Sequence, residues 1–326
     1  MRQRIFLVIG LVLMVVMVVA MGTFFSSKLS FGQTTSPQVS AATATLAPTA
    51  TPTDLPTPTD TPTPVPTTPT PTPSPTPTPL VNGSSAYLID ATSGRVLLNV
   101  NSHLRVPMWS TTKIMTALLA IERLQPDQVV TIQQSELDEV PSGMSTALLV
   151  ANDKMSVQDL LYGLLLPSGS DAAVVLAHTV SGNAVSFVSL MNTRAAQLGL
   201  TNTHYMNPYG ADESGHFSSA ADLVKLARKA MSYSLFATIV STPHHHLVAD
   251  YYHHGYPWDN ILAPFLQNYP GADGVKTGSN TAETDWCMVF SASRHGHLLI
   301  GAEMQAPSYN QIFTDAQNIL DKGFNS

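Results

Sequence analysis

A proline-rich tract divides the chain and limits where a folded domain can lie. Between Ala47 and Leu80 nearly every second or third residue is proline, mostly alternating with threonine. Proline fixes φ and has no backbone N–H, so the tract favours extended polyproline II over helix or sheet. At about 3.1 Å per residue, its roughly 34 residues reach on the order of 100 Å. The tract is expected to be a stalk or a disordered spacer, and the packed core must follow it.

An apolar segment precedes the tract. Arg2 and Arg4 stand before a stretch from Ile5 to about Phe25 that is long enough to cross a bilayer as a helix. A signal peptide has a shorter apolar region and a small-residue cleavage site, and residues 22–25 offer no good site. We expect an uncleaved single-pass anchor over residues 1–26, with a cleaved leader as the alternative. The basic residues favour an inside N-terminus, so either form exports the rest of the chain from the cytoplasm.

Composition narrows the classes of function for the remaining chain. Its 326 residues carry a net charge of −7 without a long basic block, so no nucleic-acid partner is expected. The single cysteine, Cys287, excludes a disulfide framework or a Cys-rich metal site and lies in an apolar, strand-like run typical of a core. About 245 residues follow Leu80, enough for one domain. We therefore expect a stalk over residues 27–83 and a single folded domain over residues 84–326.

The region after the tract begins and ends with strand patterns and has helical patterns between them. Ser85–Asp90 and Arg95–Val100 flank the turn-rich tetrad Ala91-Thr92-Ser93-Gly94 and predict a hairpin. Helices are predicted over 110–124, 156–166, 171–180, 184–198, 218–231 and 309–322, and late strands over 273–279, 285–292 and 297–305. This order favours a sheet built from the two ends of the region, with an inserted helical lobe.

The first candidate motif, Ser110-Thr111-Thr112-Lys113, starts the first predicted helix. Residues three apart share a helix face, so the lysine amine is placed beside the serine hydroxyl. A serine needs a base to take its proton, and a lysine is a base only when neutral, a state that apolar burial favours. Apolar neighbours that offer such burial are Met108, Trp109, Ile114 and Met115. Alone, this short pattern is also typical of a helix-capping serine with a solvated lysine.

Two further motifs follow in an order that suits one cleft. Ser168-Gly169-Ser170, followed by Asp171, lies in the loop between two predicted helices, and Lys276-Thr277-Gly278 lies on a late strand. Ser168 is suited to relay a proton. Lys276 and Thr277 are suited to hold an anionic substrate terminus, and Gly278 lets a substrate backbone approach closely. Each motif alone is a weak signal, and their combination favours a serine hydrolase.

Together the motifs resemble the three signature motifs of penicilloyl-serine transferases. Flanking residues narrow the resemblance to D-alanyl-D-alanine carboxypeptidases, the low-molecular-mass penicillin-binding proteins. The resembling stretches are 110–117, 207–210 with 216–218, and 271–278, and the resemblance covers about 84–323. It implies a mixed α/β fold of the β-lactamase/transpeptidase type, with an antiparallel sheet flanked by helices and a helical subdomain.

The resemblance also implies an activity and its residues. Ser110 would attack the bond before the terminal D-alanine of a peptidoglycan stem peptide, and water would release the acyl-enzyme. Lys113 and Ser168 would be catalytic, and the backbone N–H groups of Ser110 and Ser279 would form the oxyanion hole. The substrate would be bound by Ser170, Lys276, Thr277, Gly278 and Ser279. β-Lactams would acylate the same serine, and neither a cofactor nor a catalytic metal is expected.

Three departures from the family and several alternatives bear on this hypothesis. Ser170 stands where relatives most often have asparagine, the extra C-terminal β-domain of many relatives is not expected, and the expected anchor is N-terminal. A D,D-endopeptidase, a β-lactamase-like hydrolase and a non-catalytic wall-binding head are the alternatives. Glu136 and Glu139 precede the second motif but match no β-lactamase base motif. The histidine groups 244–246 and 253–254 are expected in polar loops near the cleft, and His216 is expected to support the site.

Overall fold

A five-stranded antiparallel sheet forms the centre of residues 79–326, the part of the chain that the computed structural model describes. The strands are β1 (Ser85–Asp90), β2 (Val96–Val100), β3 (Val129–Thr131), β4 (Lys154–Ser156), β5 (His244–Leu247), β6 (Tyr256–Asp259), β7 (Ala272–Ser279), β8 (Trp286–Arg294) and β9 (His297–Ala306). The large sheet has the order β2-β1-β9-β8-β7, and β3-β4 and β5-β6 form two small ribbons. The predicted anchor and stalk lie outside the described residues.

The order of the strands joins the two ends of the described region. β1 pairs with β9 from Ser85↔Met304 to Asp90↔Leu299, so the first hairpin adds to the last one. Within residues 79–326, all the helices but one lie in the sequence between β2 and β7. The prediction of a sheet built from both ends with an inserted helical lobe is confirmed.

Helices occupy most of the region between the two groups of strands. A 3-10 turn, Trp109–Thr112, leads directly into α1 (Lys113–Arg123). The helices that follow are α2 (Gln134–Leu137), α3 (Val157–Leu165), α4 (Ser170–Ser181), α5 (Ala184–Gln197), α6 (Ala220–Met231), α7 (Ser234–Val240), α8 (Ala263–Asn268) and α9 (Tyr309–Phe324). No single helix within 79–326 is long and apolar enough to span a membrane; only α4 and α5 together, bent by 83°, meet that length and composition.

The sheet separates two hydrophobic cores because successive strand residues point to opposite faces. On β8, Cys287 and Val289 belong to the core that contains α1, α4 and α6. Met288 and Phe290 belong to the other core, which α9 covers. A strand buried on both faces reads as a continuous apolar run, as residues 286–290 do. Cys287 is fully buried, which confirms its expected place in the core.

A pair of carboxyl side chains holds the chain just before β1. The Asn82 amide N–H and side chain donate to the Asp315 carboxylate at 2.9–3.1 Å. The Gly83 N–H donates to Glu303 Oε1 at 2.7 Å. Burial is the main cause that raises the pKa of Glu303 to about 9, and the neighbouring Asp315 adds to it. The Glu303 carboxyl is therefore protonated at neutral pH. We call these four residues the N-terminal clasp.

The longer predicted elements are confirmed to within about two residues, but the shorter ones were missed. These are β3 to β6 and the short helices α2, α7 and α8. The histidine prediction is wrong in part, because His244, His245 and His246 lie in β5 and pair with β6. Three consecutive histidines have no strand-like alternation of apolar residues, and the pairing depends on Tyr256 and Trp258 in the partner strand.

Candidate active site

Ser110 lies in the 3-10 turn that precedes α1, and Lys113 begins α1 itself. Lys113 Nζ lies 3.0 Å from Ser110 Oγ, as the spacing of three residues predicts. Trp109, just before the serine, has φ +41°, an unfavourable conformation for a non-glycine residue. Such strain persists only where surrounding contacts impose it, and it is frequent at functional sites.

The amine of Lys113 is fully buried, and its environment disfavours the charged form. Burial is the main reason why the pKa of Lys113 lies well below its usual value, and the positive charge of Lys276 lowers it further. The negative charge of Asp171 acts in the opposite direction. The neighbours expected to supply an apolar setting, Met108, Trp109, Ile114 and Met115, are themselves all buried. The arrangement therefore favours a neutral amine in contact with a hydroxyl, as a general base requires.

A loop after α5 gives Lys113 its second contact. The amine lies 2.7 Å from the backbone carbonyl oxygen of Tyr209. Asn207 Oδ1 accepts the N–H groups of Gly210 and Ala211 and so shapes this loop. Gly210 has φ +92°, and a Cβ there would lie 2.0 Å from the Trp109 carbonyl oxygen. Only glycine allows the loop to approach the turn that carries the nucleophile.

The Lys276-Thr277-Gly278 motif lies on β7, an edge strand of the sheet, as predicted. A Cβ at Gly278 would lie 2.8 Å from the Ser110 amide nitrogen and 3.0 Å from that of Thr111. The absent side chain thus lets β7 lie against the start of the nucleophile turn. Lys276 is 1% exposed, and burial lowers its pKa to about 7. Ser279 ends the strand opposite Trp286.

Ser168 lies between α3 and α4, as the sequence predicts, whereas Ser170, predicted in the same loop, already belongs to α4. Ser168 has φ +65°, and Ser170 is the first residue of α4. Both hydroxyl oxygens are buried and have no hydrogen-bond partner within residues 79–326. Buried hydroxyls almost always have partners, and exceptions occur at catalytic and ligand sites.

His216 supports the nucleophile turn from behind. Its Nδ1 accepts the Met206 N–H at 3.0 Å, so the ring proton is on Nε2, which donates to Thr112 Oγ1 at 2.7 Å. Burial is the main cause that lowers the pKa of His216 to about 4, and the charge of His204 contributes less. The ring is therefore neutral at neutral pH. The expected supporting role agrees with these contacts.

The other candidate groups are engaged elsewhere. Glu136 accepts the Gln133 N–H and caps α2, and Glu139 lies 3.0 Å from His178 Nε2. In the β5–β6 ribbon, His245 stacks on Tyr162 with ring centroids 3.8 Å apart. No group of three His, Cys, Asp or Glu side chains in the described region could hold a metal ion.

Sequence reasoning missed two parts of this arrangement. One is the Tyr209 carbonyl, since a backbone atom gives no sequence signal beyond the glycine that follows it. The other is Asp171, whose carboxylate accepts the N–H groups of Ala147 and Leu149 at 2.8 and 3.0 Å. An acidic residue in the first turn of α4 was visible in the sequence, but its partners more than 20 residues away were not.

Comparisons with known proteins agree with the geometry. The family model of the D-alanyl-D-alanine carboxypeptidases matches residues 72–308. D-alanyl-D-alanine carboxypeptidase DacF of Bacillus subtilis is 34% identical over 245 residues, 74% of this chain and 61% of the relative. The D-alanyl-D-alanine carboxypeptidase of Streptomyces sp. strain K15 is 37% identical over 257 residues, 73% of this chain and 86% of the relative.

Solved structures show the same fold. The crystal structure of the Streptomyces K15 DD-transpeptidase has a TM-score of 0.71 at 35% identity and covers 77% of this chain and 100% of that chain. The D-alanyl-D-alanine carboxypeptidase from Mycobacterium tuberculosis H37Rv has a TM-score of 0.69 at 31% identity, over 77% and 94% of the two chains. The mixed α/β transpeptidase-like fold is confirmed. The chain belongs to the D-alanyl-D-alanine carboxypeptidase family of serine peptidases.

Proposed function

We propose that this chain removes the terminal D-alanine from peptidoglycan stem peptides through an acyl-enzyme on Ser110. The observation that carries the proposal is the fully buried amine of Lys113, which lies 3.0 Å from the Ser110 hydroxyl oxygen and whose pKa burial and the Lys276 charge hold well below its usual value. A neutral amine can donate one N–H to the Tyr209 carbonyl while its lone pair accepts the serine O–H. The contact with Tyr209 thus turns the lone pair toward the nucleophile.

The reaction then proceeds by two acyl transfers. Ser110 Oγ attacks the carbonyl carbon before the terminal D-alanine, and its proton passes to Lys113. The departing D-alanine nitrogen takes a proton by way of Ser168. Water then attacks the ester, the proton movements run in reverse, and the shortened peptide leaves. The N–H groups of Ser110 and Ser279 would stabilise the oxyanion, a contribution of about 3–4 kcal/mol per donor in related chemistry.

The substrate would lie along β7. Lys276 and Thr277 would bind its terminal carboxylate, Gly278 would allow its backbone to pass, and Ser170 would supply one hydrogen bond. Because Lys276 is buried with a pKa of about 7, an anionic substrate would favour its charged form. A partnerless buried hydroxyl at Ser170 leaves one such bond to be made by the substrate.

Labelling with a fluorescent penicillin tests the nucleophile. The wild-type protein should form a covalent adduct that withstands denaturation, and the Ser110→Ala variant should form none. An equal adduct on Ser110→Ala, or no adduct on the wild type, would exclude this mechanism. No adduct on the wild type would favour a non-catalytic wall-binding head, and an equal adduct on Ser110→Ala would assign acylation to another residue.

Product analysis separates the related activities. The Streptomyces K15 relative is known as a DD-transpeptidase, so the acceptor of the acyl group is the variable to measure. With a pentapeptide, a carboxypeptidase releases free D-alanine, and a transpeptidase given an amine acceptor forms a new peptide bond. With a cross-linked dimer, an endopeptidase releases two monomers. Rapid hydrolysis of penicillin would indicate a β-lactamase, which the engagement of Glu136 and Glu139 disfavours.

We further propose that residues 1–26 anchor the protein in the cell membrane and that residues 27–83 hold the catalytic domain outside the cytoplasm. The apolar run and its preceding arginines support the anchor. Proteolysis of intact spheroplasts tests it, because an added protease should remove the penicillin-labelled domain. Retention of the labelled domain in the protected fraction would contradict this location, and its release without protease would indicate a cleaved leader.

A further inference from the structure

Asp171, next to the second motif, has an unusual set of partners. It is 4% exposed and accepts three backbone N–H groups, and it forms no ion pair with a cation among residues 79–326. Oδ1 accepts from Ala147 at 2.8 Å and from Ala172 at 2.9 Å, and Oδ2 accepts from Leu149 at 3.0 Å. Two of these donors belong to the segment before β4, which we call the brace (residues 145–150).

Ser145 also joins the brace to the second motif by hydrogen bonds. Ser145 accepts the Ser170 N–H through its carbonyl oxygen at 2.9 Å, and its hydroxyl donates to the Ser168 carbonyl oxygen at 2.9 Å. Gly169 makes this approach possible, because a Cβ there would lie 2.7 Å from the Ala147 Cβ. The brace and the second motif therefore form one hydrogen-bonded unit, with Asp171 at its centre.

The β5–β6 ribbon holds the opposite side of the brace. Trp258 Nε1 donates to the Ala147 carbonyl oxygen at 2.8 Å, and the Val150 N–H donates to the Tyr256 hydroxyl at 3.1 Å. Between these contacts Leu148 has φ +60° and is 77% exposed. Burial does not explain this strained residue, so the contacts of its neighbours must impose its conformation.

We propose that Asp171 is a positioning residue for acyl transfer, which holds the brace against the start of α4 and thereby fixes the hydroxyls of Ser168 and Ser170. This inference rests on the proposed function, since it assigns those hydroxyls to the reaction. Ser168 has φ +65°, and a partnerless hydroxyl has no contact of its own to hold it. The position of the Ser168 hydroxyl therefore depends on the backbone around it, which the hydrogen bonds of Asp171 and Ser145 hold in place.

The charge of Asp171 has a second effect. The charged groups that act on Lys113 are Lys276 from β7, which opposes its protonation, and Asp171 from α4, which favours it. Tyr209 contributes a carbonyl, and Ser110 a hydroxyl. Removing the Asp171 charge should therefore move the protonation of Lys113 to lower pH, which a purely structural role would not do.

The Asp171→Asn variant tests both effects. The asparagine side chain has the same size as the aspartate it replaces. Its NH2 group, however, cannot accept a hydrogen bond from the backbone N–H that one carboxylate oxygen accepted, so the brace is held less firmly. We expect acylation by penicillin to slow by about 100-fold. We also expect the acidic limb of the rate against pH to move to lower pH. The matched control is Asp159→Asn, which removes a carboxylate from the first turn of α3, where its Oδ2 accepts the Ser156 hydroxyl, and should change neither quantity.

Two outcomes would overturn the proposal. One is an Asp171→Asn acylation rate and pH profile equal to those of the wild type. The other is a slower rate with an unchanged acidic limb and a loss of melting temperature equal to that of the control. If Asp171→Asn does not fold, Trp258→Phe decides, because it keeps the aromatic packing but removes the bond to Ala147. It should slow acylation without moving the acidic limb, and an unchanged rate would refute the role of the brace.

Failure of the proposed function would look different. In that case the wild-type protein would carry no Ser110-dependent adduct, whatever the state of Asp171. The wild-type measurement therefore comes first, and the variants are compared with it.

Discussion

Lys113 Nζ lies 2.7 Å from the carbonyl oxygen of Tyr209, so a backbone atom on a separate loop sets the direction of the Lys113 amine. The loop can lie there only because Gly210 has no side chain. The position of the proposed general base, Lys113, therefore depends on a residue outside all three sequence motifs.

We predict that Gly210→Ala disables the enzyme. A Cβ would lie 2.0 Å from the Trp109 carbonyl oxygen, so the loop must move away and take the Tyr209 carbonyl with it. Acylation by penicillin should slow by about 100-fold or more. The control is Gly182→Ala, which has φ +77° but open space around it. It should cost about 1 kcal/mol of stability and leave the rate intact; equal rates for the two variants would contradict the prediction.

A second prediction concerns the alkaline limb of activity. Lys276 has a pKa of about 7, so it loses its charge as the pH rises through that value. Binding of a peptide carboxylate needs the charged form, so kcat/KM should fall above about pH 7, by up to tenfold per unit. In Lys276→Arg the guanidinium stays charged, and the alkaline limb should move to much higher pH. An alkaline limb at the same pH in both proteins would assign it to another group.

A third prediction separates stability from activity at Ser170. Its hydroxyl is buried without a partner, so Ser170→Ala should raise the free energy of unfolding by about 1 kcal/mol while lowering kcat/KM. Ser291 on β8 is the matched control, because its hydroxyl is also buried and partnerless but lies outside the site. Ser291→Ala should gain stability with no kinetic change. Full activity in Ser170→Ala would remove this residue from the substrate site.

The fourth prediction concerns stability in acid. The pKa of His216 is about 4 in the folded protein and 6.5 in an unfolded chain, so between these values the unfolded chain binds more protons. Stability should therefore fall as the pH drops from 6.5 to 4, by roughly 3 kcal/mol in total. Urea unfolding of His216→Gln should show a smaller slope over this range. His246→Gln, at an exposed position of the ribbon, should leave the slope unchanged.

The sequence predicts the fold where patterns are long and local. β8 follows from a continuous apolar run, and α9 follows from apolar residues at helical spacing. The contact between Ser110 and Lys113 follows from helix geometry. The β5–β6 ribbon does not follow, because His244–Leu247 becomes a strand only when paired with Tyr256–Asp259. Strand propensity of this kind depends on the partner.

The site is predictable in its motifs but not in its supports. Ser168 and Lys276 are found from residue types and order, since each carries chemistry that few other side chains supply. Asp171, by contrast, acts on backbone N–H groups of Ala147 and Leu149, which every sequence provides. Its partners are fixed by tertiary structure, so no local pattern reveals them.

The N-terminal clasp has a mechanical consequence. A pulling force that arrives from the proline-rich side of the chain meets the domain at Asn82 and Gly83, just before β1. From there it acts along β1, whose hydrogen bonds to β2 and β9 lie across the direction of pull. These bonds are loaded in shear and share the force, instead of opening one after another. A domain attached through this end should therefore resist tension in the cell wall better than one attached through α9.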